Sequence, residues 1–221
     1  MVNGSAQHEL NRFFQVLNNE HVSESVVSAA ALCKARKKLS NRVFYELNST
    51  LVDTFYESTE FKTWNNFRLL AVDGSVTKLP CSDELLKHFG VARSCAKYPA
   101  VRMSQLYDLN NKLTVDLQIE SHSVGERNMA LCHLEKTSKN DLILYDRGYP
   151  AVWFFKMHLE KGVHFCSRVK HDFSNETKAF LETKSRDRIV ELPCVEKSLR
   201  RCRKEGLSTE SIKIRLIVSA Q

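Results

Sequence analysis

The chain has 221 residues, 43% of them apolar and 27% charged, which is the composition of a folded domain rather than a disordered one. With 7 Gly and 4 Pro, collagen-like and low-complexity classes are excluded. The longest clean apolar run, Ala151 to Phe155, is too short to cross a bilayer, and the N-terminus lacks a basic stretch leading into an apolar core; no membrane partner and a cytoplasmic, nucleoid-associated location are expected.

The first sixty residues read as helices. Leu10, Phe13, Phe14 and Leu17 share one face of a first helix, and Val26, Ala29, Ala30 and Cys33 share one face of a second. The second ends in the basic cluster Lys34 to Lys38. Val43, Leu47, Leu51 and Phe55 recur every four residues and predict a third amphipathic helix, with Ser40 as its N-cap. Arg36, Lys37 and Lys38 place positive charge where a helix could enter a DNA groove, or simply on a wet face.

From Arg68 the texture changes. Leu69 to Val72 is a short apolar strand that ends in Asp73-Gly74-Ser75. Val101 to Leu109 and Lys112 to Glu120 form a predicted hairpin around the turn pair Asn110-Asn111. Ser123 and Glu126 fit a capping box that opens a helix to about Lys136. Asp141 to Tyr145 is a buried-type strand, followed by the loop Asp146-Arg147-Gly148-Tyr149-Pro150, with Pro150 at the first helical position and Gly162 at that helix's end. Val163 to Val169, Ile189 to Val195 and Ile212 to Ser219 complete the predicted strands. The order is that of a mixed α/β protein. Trp64 and Trp153 are read as core residues.

Charge is unevenly spread. The net +7 contains basic, acid-free stretches at Ser25 to Tyr45 and Leu85 to Tyr107, the latter including Arg93, and a more acidic middle from Asp108 to Asp146. A basic chain with an acidic centre suits a polyanion handled around a cation. The seven Cys residues, Cys95 among them, include no Cys-x-x-Cys pair, so neither a disulfide framework nor a zinc ribbon is indicated.

Asp73 and Asp146 each close an apolar strand and are each followed closely by glycine. Either both start turns, or both point into the crevice at the strand tips where α/β sheets bind ligands. Two carboxylates meeting there call for a divalent cation such as Mg²⁺ or Mn²⁺. Two ions would clamp both oxygens of an in-line phosphoryl displacement. Ala71 stands where an aspartyl-nucleophile phosphatase needs its first Asp, and no Walker A or dinucleotide loop is present. Arg147 and Tyr149 flank the second aspartate, where they would touch a phosphate or a flipped base, or pack. Arg102, Arg127, Arg168 and Lys170 are further candidate phosphate contacts.

Ala35 to Ser40, Leu69 to Ser75, Leu106-Tyr107-Asp108, Gly125-Glu126-Arg127 and Asp141 to Pro150, taken in order, resemble the DDE transposases of the insertion-sequence-four type. The resemblance implies an α/β (α+β) RNase H-like core at residues 63–172, a helical DNA-binding region at 1–62 and a mainly β insertion at 173–221. It maps Asp73 and Asp146 onto the first two catalytic, metal-binding acids. It further implies double-stranded DNA as partner, a homodimer on paired transposon ends, and hydrolysis followed by strand transfer.

The family's final Glu stands in a Tyr-Arg-Glu-Lys signature. Glu176, Glu182, Glu191, Glu196, Glu205 and Glu210 all lack that context, so no third acid is assigned. The chain stops at Gln221 directly after an apolar strand, from which truncation before that Glu, and weak or absent catalysis, are expected. A catalytically inert DNA-binding protein and a stand-alone metal-dependent nuclease are the competing readings.

Overall fold

A computed structural model describes residues 5–19, 26–58, 60–91 and 97–218; Arg93, Cys95 and Ser219 lie outside the described residues. The chain divides into two compact units, one through Thr50 and one from Leu51 onward.

The first unit is helical. Helix α1 (Ala6–Asn18) is capped by Ser5, and α2 (Ala29–Arg36) by Ser28, whose hydroxyl accepts from the Ala31 N–H at 3.1 Å. Gln7 ties the two together, donating to the Val27 carbonyl at 2.8 Å and accepting from the Ala29 N–H at 2.7 Å. Val26 precedes α2 rather than forming its first turn. Helix α3 (Arg42–Ser58) begins in the first unit and continues into the second.

The predicted stripe of α3 is corrected by the structure: Leu47 and Leu51 are exposed, and Val52 is the buried residue. A four-residue spacing drifts around a helix of 3.6 residues per turn, so the residues that pack in the second unit, Val52 and Tyr56, lie beside the expected line. Tyr56 donates to Asp108 Oδ2 at 2.7 Å, and Arg68 lies over its ring at 4.7 Å.

The second unit is built on a five-stranded sheet: β1 (Arg68–Lys78), β2 (Ala100–Asp108), β3 (Leu113–Ser121), β4 (Asp141–Tyr145) and β5 (His164–Ser167), in the order β3-β2-β1-β4-β5. The β1–β2 and β2–β3 pairs are antiparallel, whereas β1–β4 and β4–β5 are parallel. This mixed sheet flanked by helices is an RNase H-like α+β fold.

The expected β2–β3 hairpin is present. Its turn is held by Asp108, fully buried, whose Oδ1 accepts from the N–H groups of Asn110 and Asn111 at 3.0 Å each. A short helix that the sequence reading did not predict, α4 (Asp83–Phe89), stands between β1 and β2 with Ser82 as its N-cap.

Helix α5 (Glu126–His133) follows β3 and ends in a 3₁₀ turn at Leu134–Lys136. Helix α6 (Val152–Lys161) joins β4 to β5 and stops at Gly162, whose φ of +67° closes the helix as expected. Pro150 lies two residues before the helix rather than at its first position, because Ala151 is the N-cap. Leu70, Leu106, Ile143 and Phe154 are fully buried at the centre of the core.

Beyond Ser174 helix and strand alternate: α7 (Asn175–Leu181), β6 (Asp187–Leu192), α8 (Glu196–Glu205) and β7 (Ile212–Ile217), with β6 and β7 forming a separate antiparallel pair. The expectation of a mainly β segment is thus corrected: the basic stretch Lys197 to Lys204 is a helix, burying Ser198 and Cys202 one turn apart. Leu192 and Ile212 join the same core, and buried Lys156 of α6 donates to the Ser208 carbonyl at 2.6 Å. Trp64, expected in the core, is half-exposed in a bridge to Phe67.

Candidate functional site

The parallel ladder between β1 and β4 ends at the pair Val72–Tyr145, and each of these residues is followed at once by an aspartate. Neighbouring strands lie ~4.8 Å apart, so Asp73 and Asp146 leave the ladder from adjacent positions. One expectation changes. Asp73 does not end its strand: β1 continues to Lys78 because β2 goes on pairing with it, Asp73 with Gln105 and Gly74 with Ser104. What ends at Val72 is only the pairing with β4, because β4 itself ends at Tyr145.

Both carboxylates are exposed. Asp73 Oδ1 accepts from the Gly74 N–H at 2.8 Å, and Asp146 Oδ1 stands 3.9 Å from an Arg168 guanidinium nitrogen. The Asp146 loop is fixed from two sides. The Tyr149 N–H bonds to the Asp146 carbonyl at 3.2 Å, and Arg127 of α5 donates to the carbonyls of Tyr149 and Pro150 at 2.8 and 3.3 Å.

The predicted DNA contacts therefore divide. Arg147, Arg168 and Lys170 are exposed on the segments that follow β4 and β5. Arg36, Lys37 and Lys38 are exposed at the end of α2 in the other unit. Arg127 is occupied by the two loop carbonyls. Tyr149 is corrected outright: it is 2% exposed, packed against Tyr145 and Phe154, and unavailable to stack on a base. Arg102 is mostly buried, with one guanidinium nitrogen 3.6 Å from Glu126 Oε1, another 3.4 Å from His122, and a buried Nε that makes no hydrogen bond.

Glu126, His133, Asp116 and Ser104, none of them assigned as a site residue from the sequence, complete the surroundings. Glu126 opens α5 without capping it: the N-cap is Gly125, with no side-chain cap bond, and Ser123 is instead bonded to Ser121 at 3.0 Å. The capping box is overturned because the helix starts two residues later than it requires, with Gly125 rather than Ser123 at the cap position. His133, fully buried on the same helix, bonds through Nδ1 to Asp116 Oδ2 at 2.7 Å and through Nε2 to Ser104 Oγ at 3.0 Å. Burial pushes the Asp116 carboxyl up, but hydrogen bonds from His133 and Gln118 outweigh it and hold the group below the ordinary carboxylate range.

Burial, and then the carboxylates of Glu126 and Asp73, push the Tyr149 hydroxyl up to about 12. That hydroxyl is enclosed, and the Ser104 side chain beside it partly offsets the rise. A Cβ placed on Gly74 would stand 3.5 Å from the hydroxyl and 3.5 Å from Glu126 Cγ. The signal for Glu126 lay in its sequence neighbours Gly125 and Arg127; nothing local in the sequence marks Ser104 or His133, whose pairing is long-range. Among the described residues, no three acidic, His or Cys side chains converge closely enough to cage an ion as they stand.

The profile of the family described as "Transposase DDE domain" matches residues 64–214, about two thirds of the chain. The transposase InsG for insertion sequence element IS4 of Escherichia coli (strain K12) is 26% identical over 141 residues, 62% of this chain and 32% of that relative. The chain spans about a third of the length of the curated relative it matches.

Proposed function

The chain belongs to the transposase DDE domain family, of the IS4 type, and on that premise we propose that the unit from Leu51 onward acts on DNA by metal-dependent phosphodiester hydrolysis and strand transfer. The observation that supports this most is the register: Asp73 and Asp146 follow the last partners of one parallel ladder.

The residues fit a hard divalent cation such as Mg²⁺ or Mn²⁺. The donor set offered by the two exposed aspartates is all oxygen. Asp73 and Asp146 would hold the ion, which when bound supplies an activated water and offsets charge on the phosphoryl oxygens.

The chain's own residues do the rest. Arg127 keeps the Asp146 loop in place through its carbonyls. Arg168, only loosely paired with Asp146, is free to turn to a phosphate when the carboxylate takes a cation. Arg147 and Lys170 add exposed charge beside it, and Arg36, Lys37 and Lys38 supply a second basic surface for double-stranded DNA. Such contacts make affinity fall steeply with salt. Assembly as a dimer on paired DNA ends belongs to the same reading.

Incubating the protein with supercoiled plasmid and Mn²⁺ tests the proposal. Nicking is expected, and Asp146→Ala is expected to reduce it at least about a hundredfold. Nicking that survives Asp146→Ala would remove the aspartates from the mechanism. The lack of a third converging acid among the described residues favours a second reading, DNA binding without cleavage. Its signature is salt-dependent binding with no Mn²⁺-dependent nicking.

A further inference from the structure

We propose that Cys194 and Cys202 form an oxidation site, at which a hydroperoxide joins the two sulfurs into a reversible disulfide that fastens the start of α8. Neither residue takes part in the proposed cleavage chemistry.

The sulfurs of these two free cysteines lie 3.6 Å apart. Cys194 stands in the irregular segment between β6 and α8, directly before the N-cap Val195. Cys202 is fully buried on the inner face of α8. A disulfide needs its sulfurs about 2.05 Å apart, so the pair must close by about 1.5 Å. Side-chain rotation and a small shift of the irregular segment at Cys194 cover that distance without unwinding the helix.

Burial fixes the order of events. Cys202 is closed to solvent and Cys194 only half-buried, so Cys194 is the sulfur that meets the oxidant. Its thiolate attacks a peroxide oxygen, the O–O bond breaks, and sulfenic acid and water result. The Cys202 sulfur then attacks the Cys194 sulfur. An S–S bond forms, the S–O bond breaks, and the departing hydroxide takes the Cys202 proton as water. The two thiols together lose two electrons, which reduce one hydrogen peroxide to two waters.

The surroundings suit these roles. Burial, and then the hydrogen bond and charge of Cys194, push the Cys202 thiol up to about 11, while Lys156 pulls it down. Cys202 therefore waits as a thiol. Once Cys194 is a sulfenic acid its negative charge is gone. The Lys156 ammonium, buried near Cys202 and held by the Ser208 carbonyl, then favours the attacking thiolate. The helix fastened in this way carries Arg201, which donates to Asn128 of α5 at 3.0 Å and lies 4.9 Å over the Trp153 ring of α6.

Peptide mapping of the full chain after hydrogen peroxide tests this, with remaining thiols blocked by N-ethylmaleimide before trypsin. Cleavage at Lys197, Arg200 and Arg201 separates the two cysteines, so the expected product is peptide 189–197 joined to dipeptide 202–203. It should be the main oxidised form of Cys194 and should vanish with dithiothreitol. Cys202→Ser is expected to leave a Cys194 sulfenic acid that dimedone captures. Cys194→Ser is expected to slow the loss of the Cys202 thiol at least about tenfold. Reducing the oxidised wild type should lower its melting midpoint by about 3–8 °C, and that of identically treated Cys194→Ser by less than about 1 °C. Sulfinic or sulfonic acid at Cys194 without the link would overturn the proposal, as would a link from Cys194 to any other cysteine. So would a link that forms only in urea, or a midpoint that rises on reduction.

Discussion

The hydroxyl of Tyr145, the residue immediately before Asp146, hydrogen-bonds to Nε2 of His158 at 2.8 Å in the core between β4 and α6. His158 is fully buried, and its Nδ1 bonds to the Phe154 carbonyl at 2.8 Å. A carbonyl can only accept, so Nδ1 carries the proton and Nε2 accepts from Tyr145. The ring is therefore neutral and fully satisfied, and it anchors the strand tip from which Asp146 emerges.

Stability should depend on pH through this pair. Burial lowers the His158 pKa to about 4 from 6.5. Between those values the unfolded chain binds a proton that the folded chain refuses, so stability falls as pH falls through that window and levels off below it. The expected loss attributable to His158 between pH 7 and pH 5 is about 2 kcal/mol. Urea unfolding at the two pH values measures it, and His158→Gln should flatten that part of the dependence.

Arg127 should behave as a loop anchor rather than a DNA contact. Its guanidinium serves the Tyr149 and Pro150 carbonyls, on residues that are both buried. Arg127→Ala is expected to cost about 1–3 kcal/mol by leaving these acceptors unpaired, and to leave the salt slope of DNA binding unchanged. A reduced slope with unaltered stability would reverse the assignment.

Arg168 should show the opposite pattern. Its side chain is 69% exposed and its pairing with Asp146 is long, so Arg168→Ala is expected to change stability by less than about 0.5 kcal/mol. DNA binding measured across a salt series should lose about one unit of its log–log slope.

The base of the sheet depends on a buried ion pair. Asp141 at the start of β4 is fully buried and accepts from Arg68 Nε at 2.8 Å and from a terminal guanidinium nitrogen at 2.6 Å, as well as from the Ser138 N–H at 2.7 Å. Asp141→Ala strands the Arg68 charge and is expected to cost about 3–5 kcal/mol. Chemical denaturation reads this, and a loss below about 1 kcal/mol would show that Arg68 finds another partner.

The sequence by itself determined what short-range chemistry controls: the strands at β2, β3 and β4, the Asn110-Asn111 turn, the stop at Gly162, and the succession of motifs around Asp73 and Asp146 that carries the family resemblance. Each follows from hydrophobic period, backbone freedom or residue order within a few positions. Tertiary structure alone decided how far β1 runs, since pairing with β2 carries it past Asp73, and which face of α3 is buried. It also removed Tyr149 from the surface, tied Arg127 to carbonyls 22 and 23 residues away, and set Glu126 between two glycines distant in the chain. Those outcomes depend on which surfaces exclude water together and which buried polar atoms find partners, and neither quantity is defined until the strands and helices have met.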